Sequence, residues 1–173
     1  AVRQWNDHSG NNNNASQATL GNRPVYARNV INGQPALRFT GNTYIDPGAL
    51  GIAGTGGFSY VIVFKDTSYT AGGMSDGAGD YLIDRTPATN ELAGLKITNT
   101  NKYGFQKRTN AGGGLGGPVS ATAVNTTNFH VIDYQRQRGT SYQLYLDGSL
   151  DASVADADGD LTPPVPRIGR HYN

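Results

Sequence analysis

The 173-residue chain has no cysteine and only one glutamate, four lysines, one methionine and one tryptophan. Without cysteine there is no disulfide, no thiol nucleophile and no Cys-type zinc site. Five Glu plus Lys residues are too few to surface long solvated helices, so an all-α fold is excluded. Charge is sparse and balanced: 14 Lys and Arg offset 13 Asp and Glu for a formal +1. No stretch has the cationic density that phosphate neutralisation needs, so nucleic acid is not the expected partner. Long apolar runs are missing too. The longest, Phe58 to Phe64, has seven residues where a membrane-spanning helix needs about 20, and no membrane insertion is expected. The first residues lack the apolar segment of a signal peptide, which leaves a mature chain, a piece of something longer, or a cytosolic protein.

What is abundant is 24 Gly, 16 Asn, 16 Thr and 8 Pro, a composition of strands and turns. Low Lys and Glu with much Asn, Thr, Ser and Gly is common in exported β-proteins, so an extracellular or surface-exposed location is expected. The length suits one domain, and no loop is long enough to serve as a linker without splitting a strand pair, so 1–173 reads as a single unit.

Period-two alternation marks Phe58 to Lys65 most clearly. Both of its faces are largely apolar, which predicts a central strand covered on more than one side. Phe129 to Tyr134 and Tyr142 to Leu146 alternate as well, and Asp147-Gly148 is the type I′ signal that returns the chain along Ser149 to Val154. Weaker strands are expected at Val25 to Val30, Ala36 to Phe39 after Asn32-Gly33, Tyr81 to Asp84, Leu92 to Thr98, Lys102 to Lys107 and Arg167 to Arg170. Many short strands without an internal repeat predict an all-β, two-sheet antiparallel sandwich of the jelly-roll kind.

Several short strings carry a family resemblance. Trp5-Asn6-Asp7-His8-Ser9-Gly10, Pro24-Val25-Tyr26 and Gly33 to Gly41 look like the opening of concanavalin A-like, laminin-G-like jelly-roll domains of bacterial and phage surface proteins. Phe58 to Phe64 resembles the family's central strand, Phe129-His130-Val131-Ile132 with Leu144 to Gly148 its histidine strand and following hairpin, and Arg167-Ile168-Gly169-Arg170 its closing strand. The resemblance implies a concanavalin A-like fold and places Trp5 in the core and His130 in a packing role. It also exposes a departure: the family's additional strands before Trp5 and after Gly169 are missing. Such a sheet would be open there, so the chain is expected to be a piece of a longer polypeptide or to have that edge covered by a neighbouring chain. The alternative is that both ends fold back.

Glycoside hydrolysis needs two carboxylates across the scissile bond. Glycosidases on this fold carry E-x-D-x-x-E on one strand face, and Glu91, the only Glu, lacks that pattern. Asp80 and Asp84 share a face with no further acid, and the strings of similarly shaped lyases are absent. No enzyme is expected. Asp156, Asp158 and Asp160, preceded by Asp151, have the alternation of hard oxygen ligands that opens a calcium loop, but Leu161 and Arg167 stand where a full EF-hand loop has Gly and Glu. Calcium therefore competes with a plain acidic turn, which the incomplete motif favours. Asp76 with Asp80 is a weaker oxygen cluster.

Sugar recognition needs aromatic faces beside planar polar side chains. Ten Tyr are present, and Tyr69, Tyr81 with Arg85, Tyr103, and Tyr172 with His171 are the candidate ligand-binding residues, although strand tyrosines also serve as core packing. The functional expectation is a lectin-like, non-catalytic carbohydrate-binding or adhesion module whose partner is a glycan or surface polysaccharide. The alternative is a structural decoration or assembly domain of a phage, virion or surface fibre, joined to a protein neighbour along an open sheet edge.

Overall fold

The computed structural model describes residues 1–48, 55–69, 82–85, 91–108, 116–160 and 166–169, with the backbone alone at 85, 91–93, 96, 107 and 108. In chain order its strands are β1 (Gln4–Trp5), β2 (Ala15–Ser16), β3 (Val25–Ile31), β4 (Gln34–Arg38), β5 (Phe58–Phe64), β6 (Ile83–Arg85) and β7 (Glu91–Ile97). They continue as β8 (Lys102–Arg108), β9 (Val119–Ala123), β10 (His130–Gln137), β11 (Ser141–Leu146), β12 (Ser149–Ala155) and β13 (Pro166–Ile168). The described helical structure is one 3₁₀ turn at Leu20–Asn22. Every strand pair is antiparallel.

Two-residue hairpin loops demand φ > 0 at both central positions, which Asn, Asp and Gly tolerate best. Asn32 and Gly33 (φ +49° and +76°) join β3 to β4, and Asp147 and Gly148 (φ +51° and +85°) join β11 to β12. Asp147 does more than turn the chain. Its carboxylate accepts from His130 Nδ1 at 2.7 Å and from the Val131 N–H at 2.8 Å, so the hairpin tip is tied to the start of β10.

One sheet runs β12-β11-β10-β5 and another β7-β8-β9. Their facing sides meet in a core of Phe64, Ile132, Tyr134, Tyr142, Leu144 and Leu146 against Leu95, Ile97, Tyr103 and Phe105. Rings lock the two layers together: Phe105 stacks on Tyr134 with centroids 3.4 Å apart, and Tyr103 meets Phe64 edge-on at 5.4 Å. The architecture is that of an all-β, sandwich-like protein. On the β7 side, β6 follows through Leu82 N to Leu95 O (2.9 Å) and pairs with β13. From β13, isolated bridges continue through Ile45 and Asp46 to β2 and so to β1. Asp46 also receives the Arg167 guanidinium, with Nε and Nη2 donating at 3.0 and 3.3 Å.

Two expectations change here. The closing strand is not an edge at Ile168, which pairs with Ile83 on one side and bridges to Ile45 on the other. Nor is β5 central. Among the described residues it pairs with β10 alone, and its second face is bare, with Val61 64% and Val63 56% exposed.

Candidate functional site

The N-terminal segment is pinned by backbone bonds from Val2 N to Pro24 O (2.7 Å) and from Gln17 N to Arg3 O (2.8 Å), which set β1 beside the start of β3. After Trp5 the chain makes a loop organised by one carboxylate. Asp7 accepts from the Ser9 N–H (2.7 Å), the Ser9 hydroxyl (2.7 Å) and the Asn13 N–H (2.9 Å). These donors, led by the Ser9 N–H, hold its carboxyl below the usual Asp value. Gly10 and Asn12 take the positive φ values, +87° and +58°, that close the loop. The loop presents His8 to solvent.

Val2, Gln4, Trp5, Asn6, His8 and Tyr26 line an open cleft of about 370 Å³, at the small end of ligand sites. Trp5 is 39% and Tyr26 47% exposed, so two aromatic side chains reach solvent beside two amides and an imidazole. Gln4 Nε2 donates to Asn6 Oδ1 at 2.7 Å and orients the two amides together. The core position expected for Trp5 is thus wrong. Among the described residues β1 pairs as a strand with β2 alone, and the start of β3, joined through Val2 N to Pro24 O, leaves the indole exposed.

The ligand tyrosines chosen from sequence do not assemble a site among the described residues. Tyr103 is completely buried, and its hydroxyl accepts from the Asn125 N–H at 3.3 Å, so its ring serves the core rather than a ligand. Tyr69 is partly buried and packs against the same core. Arg85 lies in β6 opposite Pro166, with its side chain outside the described residues. Tyr81, His171 and Tyr172 lie outside them altogether, as do Asp76 and Asp80.

The acidic loop surrounds a cation supplied by the chain itself. Arg136, on β10, has a side chain with no exposure, as does Asp156. Its Nε donates to Asp156 Oδ2 at 2.8 Å, and its Nη2 donates to the carbonyls of Asp158 (3.2 Å) and Gly159 (2.8 Å). Burial works against ionisation of Asp156, but the Arg136 hydrogen bond and the N–H groups of Gly139 and Asp158 outweigh it and hold the carboxyl below its usual value. Asp158 accepts from the Tyr142 hydroxyl at 2.7 Å, Asp160 pairs with Arg138, and Asp151 accepts from Thr122 Oγ1 at 2.6 Å. A register shift after Leu144 turns Asp151 toward β9. Among the described residues no three acidic or histidine side chains converge as a metal site.

His130 is 9% exposed, and its contact with Asp147 makes it a fastener between β10 and the hairpin. Among the described residues no helix is long and apolar enough to cross a membrane. No protein-family model matches the chain, and no curated protein matches it significantly.

Proposed function

We propose that the chain is a non-catalytic carbohydrate-binding or adhesion module of an extracellular or surface protein, built on a concanavalin A-like, laminin-G-like jelly roll. The observation that carries the reading is the cleft in which solvent-exposed Trp5 and Tyr26 stand beside the paired amides of Gln4 and Asn6. Aromatic faces receive the C–H surface of a pyranose and planar amides receive its hydroxyls, and the backbone bonds of Val2 and Arg3 hold these groups on a pinned segment. The absence of catalysis rests on composition, since the single Glu91 has no partner pattern for glycosidic chemistry. A glycan array probed with the protein and with its Trp5→Ala and Tyr26→Ala variants tests the reading. Retention of a glycan signal that both substitutions abolish supports it, and binding indifferent to both contradicts it.

A second reading, as a structural decoration or assembly domain, is favoured by β5. Among the described residues its outer edge has no strand partner, and it shows exposed Val61 and Val63 without a charge between Phe58 and Phe64. Uncharged edge strands accept an added strand from a neighbour. Light scattering of the protein and of Val61→Lys tests this; a multimer that the lysine dissolves supports assembly, and a concentration-independent monomer contradicts it.

A further inference from the structure

We infer that the ligand of the Trp5 cleft is a neutral sugar unit presenting two adjacent hydroxyls next to its apolar C–H face, an inference that rests on the carbohydrate-binding reading above. The described residues that line it are Val2, Gln4, Trp5, Asn6, His8 and Tyr26, with no Lys, Arg, Asp or Glu among them. Two of the charges close in sequence are committed elsewhere, while Arg3 and Arg28 are exposed outside the described lining. Asp7 is saturated by Ser9 and Asn13 within its loop, and Arg23 donates to the carbonyls of Gln17 (2.9 Å) and Ala18 (2.7 Å). A uronate or sulfate entering the cleft would shed water without meeting a guanidinium or ammonium among these lining residues, a cost that neutral hydroxyls do not carry.

The amides supply the complementary half of the selection. With Gln4 Nε2 donating to Asn6 Oδ1, the Gln4 carbonyl oxygen remains an acceptor and the Asn6 amide nitrogen remains a donor. An acceptor and a donor locked side by side match two neighbouring hydroxyls, one giving its proton to Gln4 and the other receiving one from Asn6. The same lock lowers the ordering cost of binding, because the two amides already restrain each other. Trp5 and Tyr26 then take the C–H face of the ring.

Isothermal titration of the intact chain with two matched oligosaccharide series tests the inference: neutral gluco-, xylo- and manno-oligosaccharides against oligogalacturonates and oligoguluronates. Neutral ligands are expected to bind at least tenfold tighter than acidic ones of equal length. Gln4→Ala and Asn6→Ala should each weaken the neutral ligand about three- to tenfold, with circular dichroism unchanged, since both side chains sit at the surface. Removing one of two adjacent hydroxyls from the ligand should cost the same factor in the parent protein and little more in the variants. Acidic oligosaccharides that bind as tightly, and lose binding on Trp5→Ala, would overturn the neutral-diol inference while leaving the carbohydrate reading intact. No binding by either series would overturn both.

Discussion

Asp156→Asn keeps the shape of the side chain but removes the carboxylate that faces a fully buried guanidinium. In the native protein Arg136 Nε and Asp156 Oδ2 are 2.8 Å apart and neither side chain is exposed. Breaking such a pair from one side leaves an uncompensated charge in a dry site, at a cost of about 3–5 kcal/mol. The loss extends to the backbone, because Oδ2 also receives the Gly139 N–H (3.0 Å) and Oδ1 the Asp158 N–H (3.0 Å), bonds that shape the turn after β10 and the loop after β12. For a chain of this size one kcal/mol moves Tm by about 2–4 °C, so the midpoint should fall by about 6–20 °C. Urea denaturation followed by far-ultraviolet circular dichroism gives the free energy, and calorimetry gives the midpoint. Arg136→Met should be similarly damaging, because it orphans the same carboxylate and the Asp158 and Gly159 carbonyls. The double variant Arg136→Met/Asp156→Asn should lose less than the two singles together, by about 1–3 kcal/mol of coupling. Singles that each cost under about 1 kcal/mol, or that add without coupling, would refute the account of the acidic loop as a guanidinium cradle.

Acid should destabilise the protein through the same carboxylates. Asp156 and Asp147 are held below the unfolded carboxylate value of about 3.9, so their contribution is full above it and is lost as pH falls through their folded values; Tm measured from pH 6 to pH 2 should drop at the acid end, less steeply in Asp147→Asn, and a flat profile would contradict this. Phe105→Ala removes the ring stacked on Tyr134 between the two sheets and should cost about 3–5 kcal/mol in the same urea assay; a loss below about 1 kcal/mol would mean the layers do not meet there. With Arg136 filling the loop at 156–160, millimolar calcium and chelator should give the same melting curve; a Tm that climbs with the logarithm of free calcium would assign the loop to the ion instead.

Strands with strong alternation were legible in the sequence. Phe58–Phe64, Ser141–Leu146 and Ser149–Ala155 lie where periodicity and the Asp147-Gly148 turn placed them, within a residue or two at their ends. β9 was not, because Val-Ser-Ala-Thr-Ala has one large apolar residue and owes its place to pairing with β8. β1 and β2 are two residues each, too short for any periodicity to register.

The site was harder to read, and for a definable reason. Tyr103 and Trp5 are both aromatic residues in strands, and a sequence does not say which strand ends up at the margin of its sheet. Tyr103 sits in β8 between two neighbours and disappears into the core, while Trp5 sits in terminal β1 and stays 39% exposed. The alternation of β5 misled in the same way, since apolar residues on both faces mark a covered strand only if something covers it. In the acidic loop the carboxylate spacing read as a calcium site or, the favoured alternative, a plain acidic turn, whereas Asp156 faces a cation of the chain itself. That the cation is Arg136, 20 residues earlier in the chain, depends on a tertiary contact that no local pattern announces.

The only tryptophan in the chain lies in the proposed cleft, which makes its own emission the most direct test of a sugar-binding role. A neutral oligosaccharide selected by the array is titrated into the protein while the emission maximum and intensity of Trp5 are followed. The account predicts a saturable blue shift as the ring covers the exposed indole, with a midpoint equal to the calorimetric Kd and a response that Tyr26→Ala suppresses. Calorimetric binding of the sugar with the Trp5 emission unmoved would place the ligand elsewhere on the molecule and contradict the account.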